Sequence, residues 1–168
     1  MSATVEIDER NGTAPGDLTH NITNSNMGSV DDNDLDPVAN PVEPGNNTFE
    51  KWQQLHVTAM GGSSLINNLK VWRTGALGGS AVHLTNARIA AYGGAEAYDD
   101  PVDTDSAIAT QTMPDSEPES ANLGIDGELD GGLDDVGYSD YLVHQIQTDA
   151  GDTAGSSSTM NYQYDEIA

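Results

Sequence analysis

Four histidines, His20, His56, His83 and His144, are the first residues to weigh for chemistry. None pairs with another at a metal-ligand spacing such as H-x-H or H-x-x-x-H, and each falls in a stretch that reads as strand. The spacing assigns them to hydrogen bonding on strand faces rather than to a metal. A catalytic role, as in a small hydrolase, would require His56, His83 or His144 to come within a few ångströms of one another or of an acid cluster. Carboxylates are the second candidate. Asp32, Asp34, Asp36 and Glu43 stand at positions 1, 3, 5 and 12 of the EF-hand pattern, but Pro37 replaces the glycine of position 6 and no helices flank the loop. Asp126, Glu128 and Asp130 form a similar partial run. These loops, with Asp99, Asp100, Asp103 and Asp105, are candidate sites for weakly held monovalent or divalent cations. The alternative is that they are solvated side chains of an acidic protein. No confident metal site and no other cofactor is expected. A nucleophile elbow, a phosphate-binding P-loop and a dinucleotide fingerprint are all missing: Gly61-Gly62-Ser63-Ser64-Leu65 fails the first at its last position. The sequence therefore reads as that of a non-enzyme.

Charge carries more information. Of 168 residues, 28 are acidic and five basic, giving a net charge of −23 and a pI near 4.1. Such a surface repels nucleic acid and anionic membrane, so neither is an expected partner. There is no cysteine, hence no disulfide scaffold and no thiolate site. No run of 18 apolar residues occurs, and Met1 to Leu18 lacks the basic and apolar regions of a secretory signal. Asp exceeds Glu and only Lys51 and Lys70 are lysines, a balance that points to a halophile. At molar salt the Debye length is about 3 Å, and self-repulsion of this size is screened. The acids also avoid residues 51–95 entirely, while Lys51, Lys70, Arg73 and Arg88 all lie there. Burial as strand explains such a gap, since unpaired carboxylates are costly inside a fold. So does a face that docks on another subunit, because interface cores are poor in charge apart from Arg.

The elements that must position these residues are strands. Residues 1–17 show no clear period and read as an extended N-terminal arm, followed by a single domain over 18–168. Alternation predicts strands at 18–24, 49–60, 65–74, 81–92, 107–113, 138–148 and 159–167, with a further short one at 121–125. The Gly61-Gly62-Ser63-Ser64 cluster between the second and third of these predicts a β-hairpin, with Trp52 and Trp72 close together on one face. One of the two tryptophans is then a core residue. Tyr162 and Tyr164 alternate with Asn161, Gln163 and Asp165 and form one face of the last strand, buried by the domain or by a neighbour. About seven strands, turn signals between them and no helical period predict an all-β antiparallel β-sandwich, immunoglobulin-like with long acidic loops; a jelly roll is the alternative. Three sequons, at Asn11, Asn21 and Asn46, read as chance in an Asn- and Thr-rich chain.

The stretch FEKWQQLHVTAMGGSSLINNLKVWRTG (49–75) resembles two consecutive strands of immunoglobulin-like structural proteins of tailed viruses: a Trp-containing strand, a glycine turn and an N-x-K-x-W strand. The ending SDYLVHQIQTDAGDTAGSSSTMNYQYDEI (139–167) resembles their last two strands, with a terminal Y-x-Y-D-E. Together with the acidity, the resemblance implies a virion structural protein of a haloarchaeal tailed virus, a capsid decoration or a neck or tail accessory. Its partners would be other virion proteins and copies of itself, assembled in the host cytoplasm. The docking surface expected from the acid-free block comprises Trp52, Lys70, Trp72, Arg73 and Arg88. A second reading is a carbohydrate-binding or adhesion module of a haloarchaeal surface protein, which would expose Trp52 and Trp72 as a coplanar platform.

Overall fold

A computed structural model describes residues 1–88, 98–122, 132–153 and 155–168. Among them are nine strands and no helix: β1 (Thr4–Asn11), β2 (Asp17–Thr19), β3 (Lys51–Ala59), β4 (Leu65–Thr74), β5 (Val82–Arg88), β6 (Gln111–Thr112), β7 (Gly137–Tyr138), β8 (Tyr141–Gln147) and β9 (Thr159–Ile167). Seven form one antiparallel sheet in the order β2-β1-β3-β8-β5-β6, with β7 beside the C-terminal half of β3. β7 and β8 are one line of chain broken at Ser139, whose N–H and hydroxyl meet the carbonyl and N–H of Leu55. β4 and β9 form a separate two-stranded antiparallel sheet. Its apolar side packs on the larger sheet, giving the sandwich-like, all-β arrangement that the alternation predicts.

Register sorts the residues of the large sheet onto its two faces, since directly opposed residues of antiparallel strands share a side. Val5, Ile7 and Glu9 oppose Val57, Leu55 and Gln53, while Lys51 and Gln53 oppose His144 and Leu142. This is the inner face. Its apolar half, with Leu55, Val57 and Leu142, meets Ile66, Leu69 and Val71 of β4, and Met160, Tyr162 and Tyr164 of β9 pack against the same cluster. On the outer face, Glu6 and Asp8 oppose His56 and Gln54, and Arg10 opposes Trp52. There Trp52 is fully buried, edge-on to Tyr98 and Tyr141 with ring centroids 5.1 and 5.3 Å away, and its indole N–H donates to Glu50 at 3.2 Å. T-shaped aromatic pairs of this kind add about 0.5–1.5 kcal/mol each beyond area burial.

Several expectations change. The Gly61–Ser64 turn does not close a hairpin: β3 pairs with β1, β7 and β8, and β4 pairs with β9. The turn carries the chain from one sheet to the other, so Trp52 and Trp72 do not share a face. Residues 1–17 are no arm, because β1 lies inside the large sheet between β2 and β3. The strand expected at 18–24 stops at Thr19. Asn21 takes a left-handed conformation, φ 51°, and turns the chain away from the line of β2. In β4, Asn68 is also left-handed, φ 52°, and the register against β9 shifts between Asn67 and Lys70. That bulge resets the alternation, so Ile66 and Leu69, three positions apart, both face inward and are buried. The strand expected at 81–92 is described only as far as Arg88, and residues 123–125 of the one expected at 121–125 lie outside the described residues. Residues 121 and 122 are not strand; the Asn122 side chain instead bonds the N–H and carbonyl of Val71 at 2.9 and 2.8 Å, capping the free edge of β4.

Candidate functional site

The outer face of the large sheet brings together four groups that the sequence scatters. Glu6 and Asp8 point the same way because they are two apart on β1. His56 stands directly across from Glu6 on β3. The chain then leaves β2, and the turn at Asn21 folds His20 back over β1. His56 Nδ1 lies 3.0 Å from Glu6 Oε1 and 2.9 Å from Asp8 Oδ2; His20 Nδ1 lies 2.7 Å from Asp8 Oδ2 and 3.7 Å from Glu6 Oε1. One ligand atom from each of the four lies within 4.8 Å of every other, and among the described residues this is the one group of three or more His, Asp and Glu side chains that converges so. Asp8 is fully buried, Glu6 and His56 are partly buried, and His20 is exposed.

Supporting contacts hold this arrangement. Asp8 Oδ1 accepts the backbone N–H of Asn21 at 2.9 Å, the amide that the left-handed turn presents. Tyr138, opposite His56 on β7, stacks on its ring at 4.1 Å between centroids. Burial, and after it the Asp8 carboxylate, raise the Tyr138 phenol above its ordinary pKa.

A second histidine pair lies on the inner face. His83 and His144 have ring centroids 5.3 Å apart and are buried, and among the described residues none of their four ring nitrogens has a hydrogen-bond partner. Burial lowers the His83 pKa to about 4, with Arg73 adding to the effect, and burial drives His144 well below its usual value, with His83 adding. The same polar half of the inner face holds Lys51 and Glu9, an ion pair at 3.0 Å with both side chains 1% exposed. The geometric condition that a catalytic reading sets on the histidines is therefore met at both places.

The expected docking residues separate. Trp52 is core and unavailable to a partner. Lys70 and Trp72 lie on the outward side of β4, half-buried, with Lys70 3.2 Å from Glu117. Arg73 belongs to the opposite, Val71 side of that strand, near His83, and its guanidinium donates to the carbonyl of Gly75. Arg88 is exposed at the end of β5, opposite Tyr141 on the large sheet. Of the expected cation loops, Asp126 and Asp130 lie outside the described residues. Asp32, Asp34 and Asp36 do not converge: Asp32 Oδ1 accepts the Asp34 N–H at 3.3 Å, and Asp36 Oδ1 accepts those of Val38 and Ala39 at 2.8 and 3.3 Å. Asp32 and Asp36 thus cap turns of their own loop. The Glu6, Asp8, His20 and His56 group escaped sequence reasoning because its members come from distant positions. The signal was the alternation of Val5 and Ile7 with Glu6 and Asp8, which marks β1 as a strand.

Comparison with protein-family models, with curated proteins and with solved structures finds no match to this chain.

Proposed function

We propose that the protein is a non-enzymatic structural subunit of a virion, from a tailed virus of a halophilic host, that docks on its neighbours through the two-stranded sheet. The observation that carries this reading is the unfinished state of that sheet. β9 pairs with β4 on one side only, and among the described residues no strand lies on its other edge. An open edge suits strand addition from a neighbouring subunit. Trp72 on the outward side of that sheet, with Gln163 two residues from its ladder partner Asn161, offers an aromatic anchor and a side-chain amide. The composition supports work in brine, and the resemblance of residues 49–75 and 139–167 to strands of tailed-virus structural proteins supplies the virion. The coplanar Trp52 and Trp72 platform that the adhesion reading expects is not formed, because Trp52 is buried.

The test is incorporation. Trp72→Asp combined with Lys70→Gln should strip the chain from assembled particles, with an unchanged far-UV spectrum in molar salt showing that it still folds without the Lys70–Glu117 pair. Normal incorporation of that variant would rule out the face as the docking surface.

A further inference from the structure

We propose that Glu6, Asp8, His20 and His56 form a binding site for one transition-metal dication of the Zn²⁺ class, and that the ion clasps β1, β3 and the turn after β2 together. The inference is independent of the assembly reading, since the site lies on the outer face of the large sheet, away from β4 and β9.

The geometry is that of a ligand shell. A tetrahedral ion with bonds of about 2.0–2.2 Å separates neighbouring ligand atoms by about 3.4 Å. The four nitrogen–oxygen separations here, 2.7, 2.9, 3.0 and 3.7 Å, bracket that figure. Small side-chain rotations bring them to it. Both imidazoles aim Nδ1, not Nε2, at the same point, which ordinary strand-face hydrogen bonding does not demand of two rings from different elements. Two nitrogens and two carboxylate oxygens select a borderline ion over Mg²⁺ or Ca²⁺, which take oxygen shells.

The surroundings are those of a built site. The oxygen of Asp8 that does not face the histidines is fixed by the Asn21 N–H, and Tyr138 fixes the plane of His56. Partners of this kind orient metal ligands, and their loss commonly weakens affinity by about 10–100-fold. Asn21 holds a left-handed backbone to make its contact, a conformation that a non-glycine residue adopts at some cost. Four protein ligands fill a tetrahedral shell and leave no open position, so the role is structural rather than catalytic.

The experiment uses the full chain, stripped of metal by chelator and kept in molar NaCl so that loose binding by surface carboxylates is suppressed. Calorimetric titration with Zn²⁺ should give one equivalent, and Zn²⁺ should raise the melting temperature. Co²⁺ loading should give the intense visible bands of a tetrahedral site. His20→Ala should weaken Zn²⁺ binding by at least about tenfold and remove the thermal gain, with an unchanged far-UV spectrum because His20 is exposed. His56→Ala should do the same wherever it folds. Binding without one-to-one stoichiometry, or binding unaltered by His20→Ala, would overturn the proposal. A weak octahedral Co²⁺ spectrum would overturn the closed four-ligand shell.

Discussion

Replacing Lys51 by methionine should destabilise the fold by about 3 kcal/mol, and the reason lies in Glu9. The two side chains are each 1% exposed and meet at 3.0 Å on the inner face of the large sheet. At that separation the attraction is about 5–6 kcal/mol in an effective dielectric near 20, most of it offset by the cost of taking both charges out of water. Methionine fills the space of the lysine stem but leaves the carboxylate buried and uncompensated, which ordinarily costs about 3–5 kcal/mol. The lower end applies here. Glu9 Oε2 keeps two donors, Ser25 Oγ at 2.8 Å and Gln53 Nε2 at 3.0 Å. Removing the charge as well, in Lys51→Met with Glu9→Gln, should restore at least half of the loss. Urea unfolding at molar NaCl reads both variants, from the shift in midpoint at unchanged slope. A buried pair is poorly screened, so the loss should be the same at about 1 M and about 3 M salt. A single-variant loss below about 1 kcal/mol, or a double variant no better than the single, would refute the reasoning.

Acid should weaken the fold through His83 and His144. Their folded pKa values lie below the unfolded value near 6.5, His83 at about 4, so the stability they confer is present above pH 6.5 and is lost as pH falls toward 4. The slope of stability against pH between 6.5 and 5 should flatten in His83→Leu with His144→Leu; an unchanged slope would contradict their burial as neutral rings. With a net charge of −23, the melting temperature should climb steadily from dilute buffer to molar NaCl, and a flat or falling curve in a salt titration would remove the argument for a brine habitat. Gly61→Ala should cost more than about 1 kcal/mol, or about 2–4 °C in melting temperature, because φ is +61° and a Cβ would strike the carbonyl oxygens of Met1 and Ser2.

Local pattern made the strands legible where one face is buried by near neighbours. β4 and β9 run over the residues that the alternation marks, and Tyr162 and Tyr164 pack against the apolar cluster as expected. The glycine turn at 61–64 misled because a tight turn bends the chain without saying whether its flanks pair or part. β3 already has β1 on one side and β7 and β8 on the other, so no edge is left for β4. The acid-free block has a partly different cause from the one that the docking reading needs. Over Lys51–Leu55 it is burial on both faces of a central strand. The block reaches solvent at Arg88 and at the strand ends, and an outward face of the small sheet at Lys70 and Trp72. The four-residue cluster was out of reach for a simpler reason. Spacing rules find ligands within one element, and here β1, β3 and the Asn21 turn each bring a part.

Particle composition tests the proposed virion role most directly. The proposed assignment predicts that mass spectrometry of virions purified from the source of this chain finds it as a stoichiometric component that survives washing in molar salt. Its absence from those particles, with the folded protein present in the host, would contradict the assignment as a virion subunit.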